Sequence, residues 1–428
     1  MFGLRLIDRV FAENEKEERR MSIYEKFGLR KVINARGAGI TPLGASVMKP
    51  EVAAAMVEAS KSYVYMSELR KKAGEVISRV TGAEAGCVAN GAAAGISIMT
   101  AACMCGANII KLGKLPNTEG LKNEVIIPWG HMHHYVKGSG NCIEITGAKL
   151  VPVGSVTGSI VGMCDFRKDL EEAINDKTAA VFFTTSERIE RYWQPTFEDV
   201  TEVAHKRGVP VIVDQAVDLD LRYLVSAGAD LTTFSGGKQL AGPASVGIIC
   251  GRKDLIEACE LTEWTIARTM KVSKEEIVAL MVALEEWEKR DWTKWASSTA
   301  TMEQATRWAQ YIYNQLTNAT IPYVEVKLMS GVQQTQVIGK IKYTPPPQVR
   351  LILHEEFGMS THEVYEAVAA GDPSVLISNH NENLGFLDIN PSSLIEGEEK
   401  IAAEKVRKVL TERRKTEEIV PYPFVGAH

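Results

Sequence analysis

Long apolar runs are scarce in this chain. The longest, from Gly91 into Ala107, is rich in Ala and Gly and too short and small-sided to span a bilayer, so no membrane segment is expected. Cysteine is sparse and unpatterned. Cys87, Cys103, Cys105, Cys142, Cys164, Cys250 and Cys259 form no C-x-x-C pair, and an odd total spread over mostly apolar stretches predicts reduced core thiols in a cytoplasmic protein rather than a disulfide scaffold. Nor is there a surplus of positive charge. Against 49 Lys and Arg stand 54 Asp and Glu, a net charge of −5; neutralising a phosphate backbone takes clustered cations, so a broad nucleic-acid surface is not expected. The first twenty residues, MFGLRLIDRVFAENEKEERR, lack the apolar core and small-residue cleavage site of a secretory leader. Met21 opens a phrase that would itself make a sensible start, so residues 1–20 read either as an upstream translation artefact or as a short amphipathic arm.

What is present is enough material for one large domain and a smaller one: 428 residues, 45% of them hydrophobic. From Pro50 the pattern alternates. Helices are expected at Glu51–Ser60, Glu68–Val80, Gly91–Cys105 and Phe197–Arg207. Strands are expected at Glu124–Pro128, Lys149–Val153, Ala179–Thr184, Val209–Val213 and Asp230–Phe234. Strands alternating with helices of this length predict an α/β domain with a mostly parallel sheet covered on both faces. Val246–Cys250 follows after too short a link for a crossover, so it should run antiparallel to its neighbour. A long amphipathic helix from Ser273 to about Trp295 leads into strands at Tyr323–Met329, Thr335–Tyr343 and Val349–His354. A helix at Thr361–Ala370, two short strands and a last helix at Ile395–Arg413 complete a smaller α+β domain. The expected division is an N-terminal extension (1–21), an N-terminal segment (22–49), a large domain (50–295) and a small C-terminal domain (296–428).

The chemistry concentrates in two phrases. Asp214 ends the strand VPVIVDQA, and Lys238 follows the next strand in FSGGKQLAGP. A carboxylate to keep a pyridine nitrogen protonated and an amine to meet an aldehyde are what pyridoxal phosphate requires. Glycines at 236 and 237 would let the backbone pass close to that cofactor, and Ala216 would lie flat against its ring. A phosphate needs free N–H groups at a helix start. Gly91, Ala92 and Ala93 in VANGAAAG offer them, with Ser235 as a hydroxyl donor from the other side. His131, His133 and His134 fall in one loop after the strand at 124–128. No carboxylate or Cys cluster accompanies them, so a metal is not expected, and a ring stacked on the pyridine is the preferred reading, with His131 first and His134 second. Arg36, Arg188 and Arg191 lie in loops where a guanidinium could bind a substrate oxyanion, and Thr185 and Ser186, just past a strand end, could bond the cofactor's phenolic oxygen or the substrate.

VINARGAGITPLG, TGAEAGCVANGAAAGI, VPVIVDQA and FSGGKQLAGPASVGIICGRKDLI together resemble the selenocysteine synthase (L-seryl-tRNA selenium transferase) family over about residues 28–412. The likeness is greatest to members of the D-glucosaminate-6-phosphate ammonia-lyase type. The resemblance implies fold type I of pyridoxal-phosphate enzymes, with a mostly parallel seven-stranded sheet. It implies Lys238 as the lysine bound to the cofactor and Asp214 as the ring-nitrogen partner. It also implies an active site at a subunit interface, hence a homodimer or a ring of dimers. Two departures point away from tRNA: the family-like phrase begins at Lys31, with little before it for a tRNA-binding domain, and PWGHMHH replaces the Ser-Arg-Gly-Glu type phrase expected there. The reading is therefore a pyridoxal-phosphate lyase taking a small amino acid or amino sugar acid to a 2-keto acid and ammonia. The alternatives are selenium transfer to seryl-tRNA, racemisation, and a non-catalytic ligand-binding scaffold.

Overall fold

The computed structural model describes residues 22–37, 39–132, 138–154, 165–185, 195–215, 219–338, 341–418 and 420. They fall into two compact units: a larger one within Ala38–Thr299 and Gln334–Pro345, and a smaller one within Met1–Gly37, Ala300–Gln333 and Pro346–Pro421. Residues 22–37 thus share a unit with C-terminal residues, whereas the sequence suggested a separate segment over 22–49.

The larger unit is built on a seven-stranded sheet. In chain order its strands are β1 (Ala85–Ala89), β2 (Glu124–Pro128), β3 (Lys149–Val153), β4 (Thr178–Thr185), β5 (Val211–Gln215), β6 (Leu231–Ser235) and β7 (Gly247–Gly251). They lie side by side in the order β1-β7-β6-β5-β4-β2-β3. Pairing is parallel from β3 through β2, β4 and β5 to β6, while β7 is antiparallel to both β1 and β6. A sheet of this kind hides both faces, and β4 (TAAVFFTT) is accordingly buried at every position.

The helices that cover it are α1 (Pro50–Ala59), α2 (Met66–Thr81), α3 (Gly91–Cys105), α4 (Phe166–Ala173), α5 (Phe197–Lys206), α6 (Lys253–Leu261) and α7 (Lys274–Glu288). Since α3 is apolar all round, it is a core helix, buried from Gly95 onward except at Cys103. Alternation along the strands sorts the side chains. Phe182, Ile212 and Leu231 join Ile98 and Met99 of α3 in one cluster, while Val181, Phe183, Val211 and Val213 join Leu170 of α4 and Val200 and Val203 of α5 in another. A third cluster sets Val88, Phe234 and Ile248 against Ile77 of α2 and Leu280 and Leu284 of α7. The start of α7 is fixed by a capping box: Ser273 Oγ accepts the Glu276 N–H at 3.2 Å, and the Ser273 N–H gives to the Glu276 carboxylate at 3.1 Å.

Some elements depart from the sequence reading. β1 and α4 were not expected, the helix from 273 stops at Glu288 rather than near Trp295, and the strand expected over Thr335–Tyr343 is a hairpin of Gln336–Ile338 with Ile341–Tyr343. In the smaller unit Val324–Met329, Gln348–Leu353 and Phe386–Ile389 form an antiparallel sheet with Gln348–Leu353 central, and Val32–Ala35 pairs in parallel with Ser374–Ile377. The central strand is pinned by Arg350, which grips Asp388 with two bonds of 2.8 and 3.0 Å. Among the described residues no helix is long and apolar enough to cross a membrane.

Candidate active site

Parallel strands bring their carboxyl ends to one edge, where ligands of open α/β sheets bind. Register sets two rows of residues there. Thr184 of β4, Asp214 of β5 and Thr233 of β6 stand side by side. Two residues further along β6, Ser235 lies beside Gly247 at the start of β7, and Gly247 lies beside Ala89 at the end of β1.

Asp214 is buried at the end of a buried strand. Its charge is felt by Cys142, whose thiol is pushed up by burial first and by Asp214 second, so that sulfur stays protonated. His131, in a single turn after β2, is buried as well, and its Nδ1 accepts the backbone N–H of Thr184 at 3.2 Å. Accepting at Nδ1 leaves the proton of the neutral ring on Nε2. Burial lowers the proton affinity of His131 to about 3. The ring meets Phe183 edge-on, 4.6 Å between centroids at 72°. Thr184 therefore joins two of the candidates: its N–H holds His131, and its neighbour in register is Asp214.

Lys238 sits three residues past β6, half-buried, in a turn that closes only with glycine. A Cβ on Gly236 would stand 2.6 Å from the Val246 carbonyl oxygen, and one on Gly237 would stand 2.6 Å from Ala244 Cα. The turn is tied by Gly236 N–H to Val246 O (2.7 Å), Gly242 N–H to Gly236 O (2.8 Å) and Ala241 N–H to Lys238 O (2.9 Å), while Ser46 Oγ also gives to Lys238 O at 3.4 Å. A further anchor comes from beyond α7, where Arg290 Nη1 donates to the Gln239 carbonyl at 2.5 Å.

The phosphate cup predicted at α3 has the properties an anion needs. Gly91 opens the helix at φ +71°, no side chain caps the helix start, and its first turn carries no acid. Gly91 and Ala92 are half-buried, Ala93 is exposed, and a Cβ at Gly247 would press within 2.9 Å of Gly91 C and 3.1 Å of Ala92 N. Ser235, in register with Gly247, is thereby brought next to the helix start. An open uncapped helix start beside β7, a buried carboxylate two strands away on β5 and a half-buried amine on the turn between β6 and β7 together fit pyridoxal phosphate in the donor types it requires.

The remaining candidates belong to other stretches of the chain. Arg36 is buried just after the strand Val32–Ala35, in the smaller unit. Ala216, Ser186, Arg188, Arg191, His133 and His134 lie outside the described residues. Among the described residues no group of three or more His, Cys, Asp or Glu could hold a metal ion. Two residues escaped the sequence reading. Thr184 reads as ordinary strand material, and Arg290 lies inside the stretch expected to be a long amphipathic helix.

Comparison with known proteins adds an independent line. The sequence profile described as SelA, L-seryl-tRNA selenium transferase, matches residues 32–340. D-glucosaminate-6-phosphate ammonia lyase of Salmonella typhimurium (strain 14028s / SGSC 2262) is 31% identical over 388 residues, covering 91% of this chain and 98% of that protein. A 5'-C-glycyluridine monooxygenase-decarboxylase from Streptomyces sp is 31% identical over 382 residues, 88% of this chain and 90% of that one. Among solved structures, that of D-glucosaminate-6-phosphate ammonia-lyase superposes with a TM-score of 0.77 at 30% identity, over 92% of this chain and 99% of that one. A structure of SPT with PLP superposes with a TM-score of 0.51 over 90% and 88% of the two chains; at 11% identity it speaks for the fold alone.

Proposed function

The chain belongs to the L-seryl-tRNA selenium transferase family and has fold type I of pyridoxal-phosphate enzymes, and from these premises we propose that it is a cytoplasmic pyridoxal-phosphate lyase. It takes a small amino acid or amino sugar acid, removes the α-proton, expels a β-substituent and yields a 2-keto acid and ammonia. The observation that carries this reading is the near full-length likeness to the ammonia lyase, together with Lys238 and Asp214 at one sheet edge.

Each residue has a task that chemistry dictates. The N–H groups of Gly91, Ala92 and Ala93, with the Ser235 hydroxyl, hold the phosphate; Asp214 keeps a proton on the ring nitrogen; the neutral His131 ring covers one face. Bound there, pyridoxal phosphate supplies an electron sink for the charge left at the α-carbon. Lys238 first holds the cofactor through its amine, then takes the α-proton and returns it as the β-group leaves. The enamine released isomerises to the imine, and one water hydrolyses it to the keto acid and ammonia. Arg36, Arg188, Arg191 and Ser186 are proposed to bind the substrate's anionic groups. The assembly proposed is a homodimer or ring of dimers, supported by apolar side chains exposed on the larger unit.

Purified protein should be yellow, and borohydride should fix the cofactor covalently at Lys238. A screen of phosphorylated and carboxylated amino compounds should give keto acid and ammonia in equal amounts. Labelling at another lysine would overturn the role of Lys238. The second reading, selenium transfer, is favoured by the family profile itself. Salt-resistant binding of seryl-tRNA with conversion of its serine would establish that reading instead, since non-specific phosphate contacts weaken steeply with salt.

A further inference from the structure

We infer that Thr184 is a positioning residue for Asp214, its hydroxyl turning to donate to the carboxylate once a ring nitrogen is held against it. This rests on the reading that a pyridoxal-phosphate ring lies against Asp214. Thr184 is wholly buried, and its Oγ1 has no hydrogen-bond partner. Other buried hydroxyls at this part of the sheet are satisfied within the protein. Thr232 gives to Gln215 Oε1 at 3.0 Å, Thr233 to the Ile248 carbonyl at 2.9 Å, and Ser97 to the Cys142 carbonyl at 2.6 Å. Leaving a hydroxyl buried without an acceptor is costly, and valine would fill the same space in a strand at no such cost. The hydroxyl is therefore kept for something other than stability.

Register and face say what that is. Phe182 stands beside Ile212 and both pack in the cluster with α3; two residues on, Thr184 stands beside Asp214 with the same orientation. Strands lie about 4.8 Å apart, so a Thr hydroxyl turning about its Cα–Cβ bond reaches a carboxylate on the next strand. The backbone N–H of Thr184 is already given to His131, which leaves the side chain as the arm toward Asp214. A donor on the carboxylate favours its ionised form. Without it Asp214 binds protons more tightly and draws the shared proton away from the ring nitrogen.

Thr184→Val and Thr184→Ser decide the matter in cofactor-loaded protein, because both keep the backbone bond to His131. Valine should weaken cofactor binding about tenfold, as loss of a hydrogen bond to a charged group would, and lower kcat by a similar factor with KM unchanged. The pH titration of the bound cofactor's absorbance should also move, by about one unit. Serine should restore all three. In an Asp214→Asn background, Thr184→Val should no longer change cofactor affinity, whereas additive losses would show that the two residues act independently. Should valine disturb the fold, Thr184→Ala repeats the comparison with serine. A wild type that binds no cofactor would sink the functional reading itself. A wild type that binds it, with valine or alanine variants of unchanged titration and affinity, or serine as impaired as valine, would overturn the role of Thr184 alone.

Discussion

At the scale of the residue, the decisive property of the site is what burial does to His131. With a proton affinity held at about 3, the ring stays neutral throughout the physiological range, so it can cover a cofactor face but cannot serve as a cationic acid. A free histidine titrates near 6.5, so below that pH the unfolded chain takes a proton that the folded one refuses. The stabilisation is complete above about pH 6.5 and is lost as pH falls toward 3, at about 1.4 kcal/mol per unit. His131→Asn removes this titration. Urea unfolding at about pH 6 and about pH 5 should therefore show wild type losing about 1 kcal/mol more than the variant. Parallel losses would mean that His131 is not buried in the native protein. Lys238 and Asp214 stood out as candidates in the sequence because Asp214 falls at the end of one apolar strand and Lys238 in the glycine turn after the next. Thr184 was not. A threonine at the end of an apolar strand satisfies strand preference, and its unsatisfied hydroxyl is visible only once neighbouring strands are in register.

At the scale of the element, the turn carrying Lys238 depends on Arg290, two residues past the carboxylate-rich end of α7. The guanidinium lies 3.7 Å over Trp295 and 5.0 Å from Trp292, donates through Nη1 to Gln239 O, and has Nε and Nη2 buried without an acceptor. A charged hydrogen bond contributes about 1.5–3 kcal/mol, but each unsatisfied buried donor costs about 1–3 kcal/mol. The bond together with the contacts over the two tryptophan rings offsets the two unsatisfied donors. Arg290→Met, which keeps the apolar stem, should shift unfolding free energy by less than about 1 kcal/mol yet release the carbonyl next to Lys238. Covalent capture of cofactor should then slow about tenfold, as a small misplacement of a reacting group does. A stopped-flow trace unchanged from wild type would remove Arg290 from the site. The same residues explain where the helix reading failed. Apolar spacing continues through Trp292 and Trp295, but the helix ends at Glu288, and the Arg290 guanidinium beyond it meets the Trp295 ring and the Gln239 carbonyl. β1 was missed because AGCVA is small-sided, and the 336–343 hairpin because its alternation runs on through Gly339.

At the scale of the whole molecule, surface composition bears on assembly. Val57, Tyr63, Val64, Tyr65 and Met66, at the end of α1, in the link and at the start of α2, are all exposed, with Tyr63 fully so and Tyr65 at 77%. Such a run on a chain of net charge −5 is not what keeps a monomer in solution. Buried tyrosines cover about 150–250 Å² each, so the two here supply over a third of the roughly 800 Å² that a stable interface needs from each partner. If this surface holds the proposed homodimer, sedimentation at micromolar concentration should give at least twice the 47.0 kDa chain mass. Tyr63→Glu with Tyr65→Glu places carboxylates where apolar surface must be desolvated, a cost of several kcal/mol per charge, and should leave a folded monomer. Circular dichroism would verify that the fold survives, and the monomer should lose most keto-acid release if the site needs its partner. A wild type sedimenting at the single-chain mass would overturn the assembly, and a double variant of unchanged mass would move the interface away from these tyrosines.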